Sequence, residues 1–148
     1  MDWSRPPTAI SNSANQGGSI GSVSEFSIDA STGALTMVNF YPNWVQPTEA
    51  PGWIAFDLSG HAFVGNPQEI SQFTVDASTG ALTGNGTTTT PNLSSYGAVD
   101  PSGRFLYTAD IYYTVSQYTI DSAGTLTPNG TFALAPNLQA NVLAFAQR

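Results

Sequence analysis

Apolar and polar residues alternate along this chain in short runs, and the runs come back. In "SEFSID" Phe26 and Ile28 stand two residues apart with polar residues beside them, and Phe73 with Val75 and Tyr118 with Ile120 repeat the spacing. A period of two, filled by β-branched and aromatic side chains, predicts strands with one face buried. Gly and Pro interrupt the chain too often for long helices, and no stretch carries a helical stripe.

These runs sit inside a longer period. "VSEFSIDASTGALT" (23–36) returns as "ISQFTVDASTGALT" (70–83) and, altered, as "VSQYTIDSAGTLT" (115–127). The aspartates of the three copies, Asp29, Asp76 and Asp121, lie 47 and then 45 residues apart. Out of phase with them run "DLSG" from Asp57, "DPSG" from Asp100 and a degraded "DWSR" from Asp2. Periods in the forties suit propeller blades or helical repeats, and the strand alternation selects blades. The best-formed unit divides into strand a (95–100), a type I turn "DPSG", strand b (104–110), strand c (114–121) and strand d, "TLTPNG". Gly33, Gly80 and Gly124 fall in the c–d loops, where a tight hairpin calls for positive φ; the third loop is one residue tighter.

Four short antiparallel strands at this period make a β-propeller blade. The run "GAVDPSGRFLYTAD…VSQYTIDSAGTLT" resembles the repeat of the YVTN-type, 6-phosphogluconolactonase-like (lactonase) propeller family. The resemblance spans nearly the whole chain and implies an all-β propeller of four-stranded blades. Its residues build turns and cores, so they speak to fold rather than activity. Lactonase members of that family are reported to use charged residues at the mouth of the central channel; no residue here matches such a motif, so none is carried over.

Relatives of this kind generally close as seven blades, and this chain supplies three. The expected order is b-c-d, a-b-c-d, a-b-c-d, a over residues 1–148: blade 1 at 5–40, blade 2 at 51–86, blade 3 at 94–130, and a closing strand a at 141–147. Three wedges cannot close a ring. The expectation is therefore a permuted segment whose last strand completes blade 1 of a second copy, head to tail. Val142, Leu143 and Phe145 would make that closure, each worth ~1.5–3 kcal/mol on burial, and covering the strand removes an exposed edge. Two copies give six blades and three give nine; six is nearer seven, so a homodimer is favoured over a homotrimer. A piece of a longer propeller, or a minimal or engineered propeller with no ligand, stands as the alternative.

Composition narrows the partners. Of 148 residues only three are basic (Arg5, Arg104, Arg148), none is lysine, and the net charge is -7. Nucleic acid needs several Lys or Arg contacts, and anionic membranes attract basic segments, so neither partner is expected. Cysteine is absent, which excludes disulfides and thiolate metal sites. No cofactor or metal set is apparent. "MDWSRPP" lacks the pattern of a signal peptide, so a soluble chain is expected with its compartment open.

Candidate chemistry is sparse. His61, the only histidine, follows the "DLSG" turn and is expected to point to solvent; no catalytic set is named. The recurring aspartates are expected to cap turns. The distinctive segment is "NFYPNWVQPTEAPGW" (39–53), which concentrates Tyr41, Trp44 and Trp53 with Glu49 in the first d–a loop. Tyr112 and Tyr113, in the b–c loop of blade 3, should share that rim. These aromatics could stack on a small molecule or sugar ring or fill inter-blade and subunit seams. The residues favour a self-assembling scaffold or binding module, with a lactone hydrolase as the alternative.

Overall fold

Short alternating runs held between Asp- and Gly-containing turns can satisfy their backbones only by pairing with their neighbours in sequence, and they do so here as meanders. The computed structural model describes residues 8–13, 22–42, 51–66, 68–135 and 145, and all of its regular elements are strands. Strands β1 (Thr8–Ser13), β2 (Ser22–Ile28) and β3 (Leu35–Pro42) form one antiparallel sheet. Strands β4 (Trp53–Phe56), β5 (His61–Gly65), β6 (Glu69–Val75) and β7 (Leu82–Thr89) form a second, in sequence order. The third contains β8 (Ser94–Val99), β9 (Phe105–Asp110), β10 (Thr114–Ile120) and β11 (Leu126–Ala133). The first sheet thus carries strands b, c and d of a blade, and the other two carry all four.

The repeated aspartates set the hairpins. Asp29 Oδ1 accepts the N–H groups of Ser31 and Thr32 and both their hydroxyls, and Asp76 does the same with Ser78 and Thr79. Those bonds hold both carboxyls well below the ordinary carboxylate range, the Ser31 and Ser78 hydroxyls contributing most. Gly33, Gly80 and Gly124 follow at φ 72°, 81° and 78°, where a side chain would be strained.

The three sheets stack face to face, so the middle one is covered on both sides. Val23 and Tyr41 meet Ala62, Val64, Phe73 and Leu82 at the first seam. Trp53, Ala55, Phe63 and Ile70 meet Leu106, Tyr118 and Leu126 at the second. For the middle blade this corrects the expectation of strands with a single buried face, which β10 of the third blade keeps, with Ser116 and Tyr118 buried in alternation. Glu25, Ser71 and Gln72, at the alternating polar positions, are buried too, because a neighbouring blade lies against them.

One further irregularity recurs. The c–d pairing slips between Glu25 and Phe26, between Gln72 and Phe73, and between Gln117 and Tyr118. In each case strand d carries one extra residue: Val38, Asn85 or Asn129. Gly86 and Gly130 follow two of these bulges at φ 113° and 127°.

Candidate functional site

The b–c and d–a loops converge at one end of the seam between the second and third blades. Two clefts flank the segment Thr89–Pro91 there. One, of about 410 Å³, is lined by Gln68, Thr89 to Leu93 and Tyr112. The other, of about 370 Å³, lies between Thr89 to Pro91 and the Ser116, Gln117 and Thr131 side of the third blade. Both volumes fall in the range of small-molecule sites. The linings mix hydroxyl, amide and aromatic groups with apolar Pro91, Leu93 and Pro128, and no charged side chain is among them. Such a surface can hydrogen-bond and stack, and it suits a neutral polar ligand.

Asp110 builds the first cleft's wall without entering its chemistry. Its carboxylate accepts the N–H groups of Tyr112 (2.8 Å) and Thr114 (3.0 Å), the Asn92 amide (2.9 Å) and the Thr114 hydroxyl. Burial pushes its pKa up, but these bonds together outweigh that and hold the carboxyl below the ordinary value. The turn they close places Tyr113 at φ 66°, an uncommon conformation for a residue other than glycine. Tyr112, 56% exposed, is left standing beside Asn92 at the cleft.

The other aromatics have different positions. Trp53 is buried, its indole N–H donating to Ser94 Oγ at 2.8 Å across the seam. Its ring lies in a slot between Gly65 and Gly97: a Cβ on the first would stand 1.8 Å from Trp53 Cε2, and on the second 2.4 Å from Cζ3. Tyr41 is buried at the other seam, where its hydroxyl donates to Glu25 Oε2 and accepts the Leu82 N–H, both at 2.9 Å. Burial pushes its phenol pKa up. Tyr41 and Trp53 therefore fill inter-blade packing, one of the two roles their sequence context allowed. Trp44, Glu49, Val142 and Leu143 lie outside the described residues. Phe145 sets its ring 5.5 Å from that of Tyr107, on the outer face of the third blade.

His61 is corrected outright. It is buried rather than solvent-facing, with Nδ1 2.6 Å from Asp57 Oδ2 and its ring against Gly124 of the next blade. Asp57 also accepts the His61 N–H at 2.8 Å, so the "DLSG" turn curls the ring back into the seam.

The seams hold residues that sequence reasoning assigned only to polar strand faces. Gln72 Oε1 accepts the Leu126 N–H at 3.1 Å, and Gln72 Nε2 donates to Thr88 Oγ1 at 2.7 Å. Glu25 performs the matching task at the first seam through the Tyr41 hydroxyl. The available signal was the repeated Glu, Gln, Gln in "SEF", "SQF" and "SQY".

A fold of stacked four-stranded meanders with these turns has a recognised counterpart. Residues 56–142, more than half of the chain, match the family model described as lactonase, 7-bladed beta-propeller. The chain belongs to this lactonase propeller family. No curated protein matches it. Among solved structures, a Bacteroides fragilis protein described as a candidate 6-phosphogluconolactonase superposes with a TM-score of 0.71 at 19% identity, covering 84% of this chain and 36% of that one. The periplasmic gluconolactonase of Pseudomonas aeruginosa gives 0.66 at 18% identity, covering 79% and 35%. A functionally unknown protein from Desulfotomaculum acetoxidans gives 0.62 at 23%, covering 84% and 41%. At these identities the likeness concerns the fold, and this lactonase propeller chain spans roughly two fifths or less of each relative's length. Among the described residues, no helix is long and apolar enough to cross a membrane.

Proposed function

We propose that this lactonase-family chain is a self-associating propeller module, a binding scaffold whose ring is completed by another copy of itself. One contrast carries the reading. Leu82 and Leu126, which open strand d of the second and third blades, are each 5% exposed, whereas the equivalent Leu35 of the first blade is 59% exposed. The first two are covered by a preceding blade; among the described residues none lies over Leu35. A homodimer of six blades is the favoured assembly, with a homotrimer as the variant. The uncharged clefts flanking Thr89–Pro91, one of them beside Tyr112, are its candidate sites for a small neutral ligand such as a sugar. Light scattering behind a sizing column tests the assembly: a sharp dimer or trimer is expected, and a monomer at all concentrations refutes it.

Family membership favours one second reading, hydrolysis of a lactone. Its test is the opening of gluconolactone above background, with Glu49→Gln as the companion variant. Turnover lost on that substitution would favour the enzyme; no turnover in either form favours the scaffold.

A further inference from the structure

We infer that the third blade carries a ready-made grip for the first blade of a second copy, centred on Gln117 and Phe132 of one chain and Leu35 of the next. The inference rests on the self-association reading and specifies its interface. It follows from comparing the two seams that the chain already contains.

Registers fix the equivalences. Leu35, Leu82 and Leu126 pair with Ile28, Val75 and Ile120; Tyr41, Thr88 and Phe132 pair with Val23, Ile70 and Val115. Glu25, Gln72 and Gln117 sit beside the bulge in each strand c. At each internal seam, the strand-c polar residue and its strand-d partner seize the backbone of the next blade's leucine. At the first seam, Glu25 holds the Tyr41 hydroxyl, which accepts the Leu82 N–H. At the second, Gln72 accepts the Leu126 N–H, while Thr88 Oγ1 donates to the Leu126 carbonyl at 3.3 Å. Asn85 adds a bond to the Ala123 carbonyl in the following c–d turn, at 2.6 Å.

The outer face of the third blade keeps these positions, but Phe132 replaces the strand-d hydroxyl and the Gln117 amide donates to the Tyr107 hydroxyl at 3.3 Å, leaving Gln117 Oε1 as the acceptor. Gln117 stands where Gln72 stands, Asn129 where Asn85 stands, and Phe132 where Thr88 stands. Phe132 is 61% exposed, and Tyr107 and Phe145 lie together on the same face. The open face of the first blade supplies what such a grip takes: an exposed Leu35 beginning strand d, the Asp29–Gly33 turn before it, and exposed Met37 and Phe40. Both halves belong to one chain but lie on opposite sides of the stack of described blades, so they do not meet within it. In the assembled seam Gln117 Oε1 accepts the Leu35 N–H, Phe132 covers the Leu35 side chain, and Asn129 reaches the Asp29–Gly33 turn. The occupant is a second copy, because the receiving blade that the grip fits is present in this sequence.

The chain has no cysteine, which makes the test clean. Leu35→Cys with Phe132→Cys should give an interchain disulfide under mild oxidation, since at the equivalent positions the Thr88 side chain lies against Leu126, its Oγ1 3.3 Å from the Leu126 carbonyl oxygen. Leu58→Cys with Phe132→Cys, placing the first thiol on an exposed a–b turn, should not. In the cysteine-free chain, Leu35→Asp should reduce the mass to a monomer with an unchanged β spectrum. Gln117→Ala should raise the dissociation constant about tenfold. An oligomer without the Leu35–Phe132 cross-link would overturn this seam while leaving self-association standing. A monomer without the cross-link would overturn both.

Discussion

The slot around Trp53 yields a prediction whose sign differs between two glycines of similar strand setting. Gly84 in β7 and Gly97 in β8 both lie in strands without positive φ, so neither substitution by alanine carries left-handed strain. Around Gly84 a new Cβ meets nothing within 4 Å. Gly84→Ala should therefore stabilise by about 0.4–1 kcal/mol through the less flexible unfolded chain. At Gly97 the same methyl would lie 2.4 to 2.5 Å from Cζ3, Cε3 and Cη2 of Trp53, with Gly65 closing the opposite side of the ring. The indole cannot tilt away without losing its bond to Ser94, so overpacking of about 1–3 kcal/mol is expected. For a chain of this size each kcal/mol moves Tm by about 2–4 °C. The two variants should therefore separate by several degrees in thermal melts followed by circular dichroism. Trp53→Leu is itself costly, but in the Gly97→Ala background it should cost measurably less than in the native chain, since the clash has gone. Equal melting of Gly84→Ala and Gly97→Ala, or strictly additive effects of Trp53→Leu and Gly97→Ala, would refute the slot.

Other outcomes follow from the turns and seams. Asp100, Asp110 and Asp121 titrate below the ordinary value of 3.8, as Asp29 and Asp76 do, so their contribution is fully present above the unfolded range and lost as pH falls through the folded values. Tm should be level from neutral pH down to about 5 and drop below about 4; a melting temperature that rises on acidification would contradict this. Tyr41→Phe leaves Glu25 and the Leu82 N–H without the hydroxyl between them and should cost about 1–3 kcal/mol in urea unfolding; no change would mean that the first seam does not depend on that hydroxyl. Tyr112→Ala should leave Tm within about 1 °C, consistent with a surface site, and should weaken any ligand that occupies the cleft beside it; unaltered affinity would move the site elsewhere.

The blade was legible because its signals are local. An Asp followed at a fixed interval by Gly closes its own hairpin, and alternation declares a strand whatever lies opposite. The turn roles of Asp29, Asp76 and Asp121 followed from chemistry contained within five residues. What escaped depended on neighbours remote in sequence. His61 looked solvent-facing because its turn is polar, yet Gly124, absent a side chain, opens the space that receives the ring. Trp53 could have been a rim platform or seam packing on sequence alone, and only Gly65 and Gly97, its two walls, decide for packing. Gln72 looked like an ordinary polar strand residue because its partner is Leu126, a blade away. Stacking turns both faces of a strand inward, and a period of two cannot announce that.

The extra residue in every outer strand has a further consequence. Strand d is the exposed margin of each blade, with backbone groups turned outward, and such margins recruit one another into fibrillar aggregates. Lysine is the usual protection, and this chain has none. The bulges at Val38, Asn85 and Asn129 break the regular hydrogen-bonding edge, and Pro128 removes a donor from the third blade's margin. In a protein with so little charge to spend on solubility, irregular geometry takes over the work of keeping one molecule's rim from templating on another's.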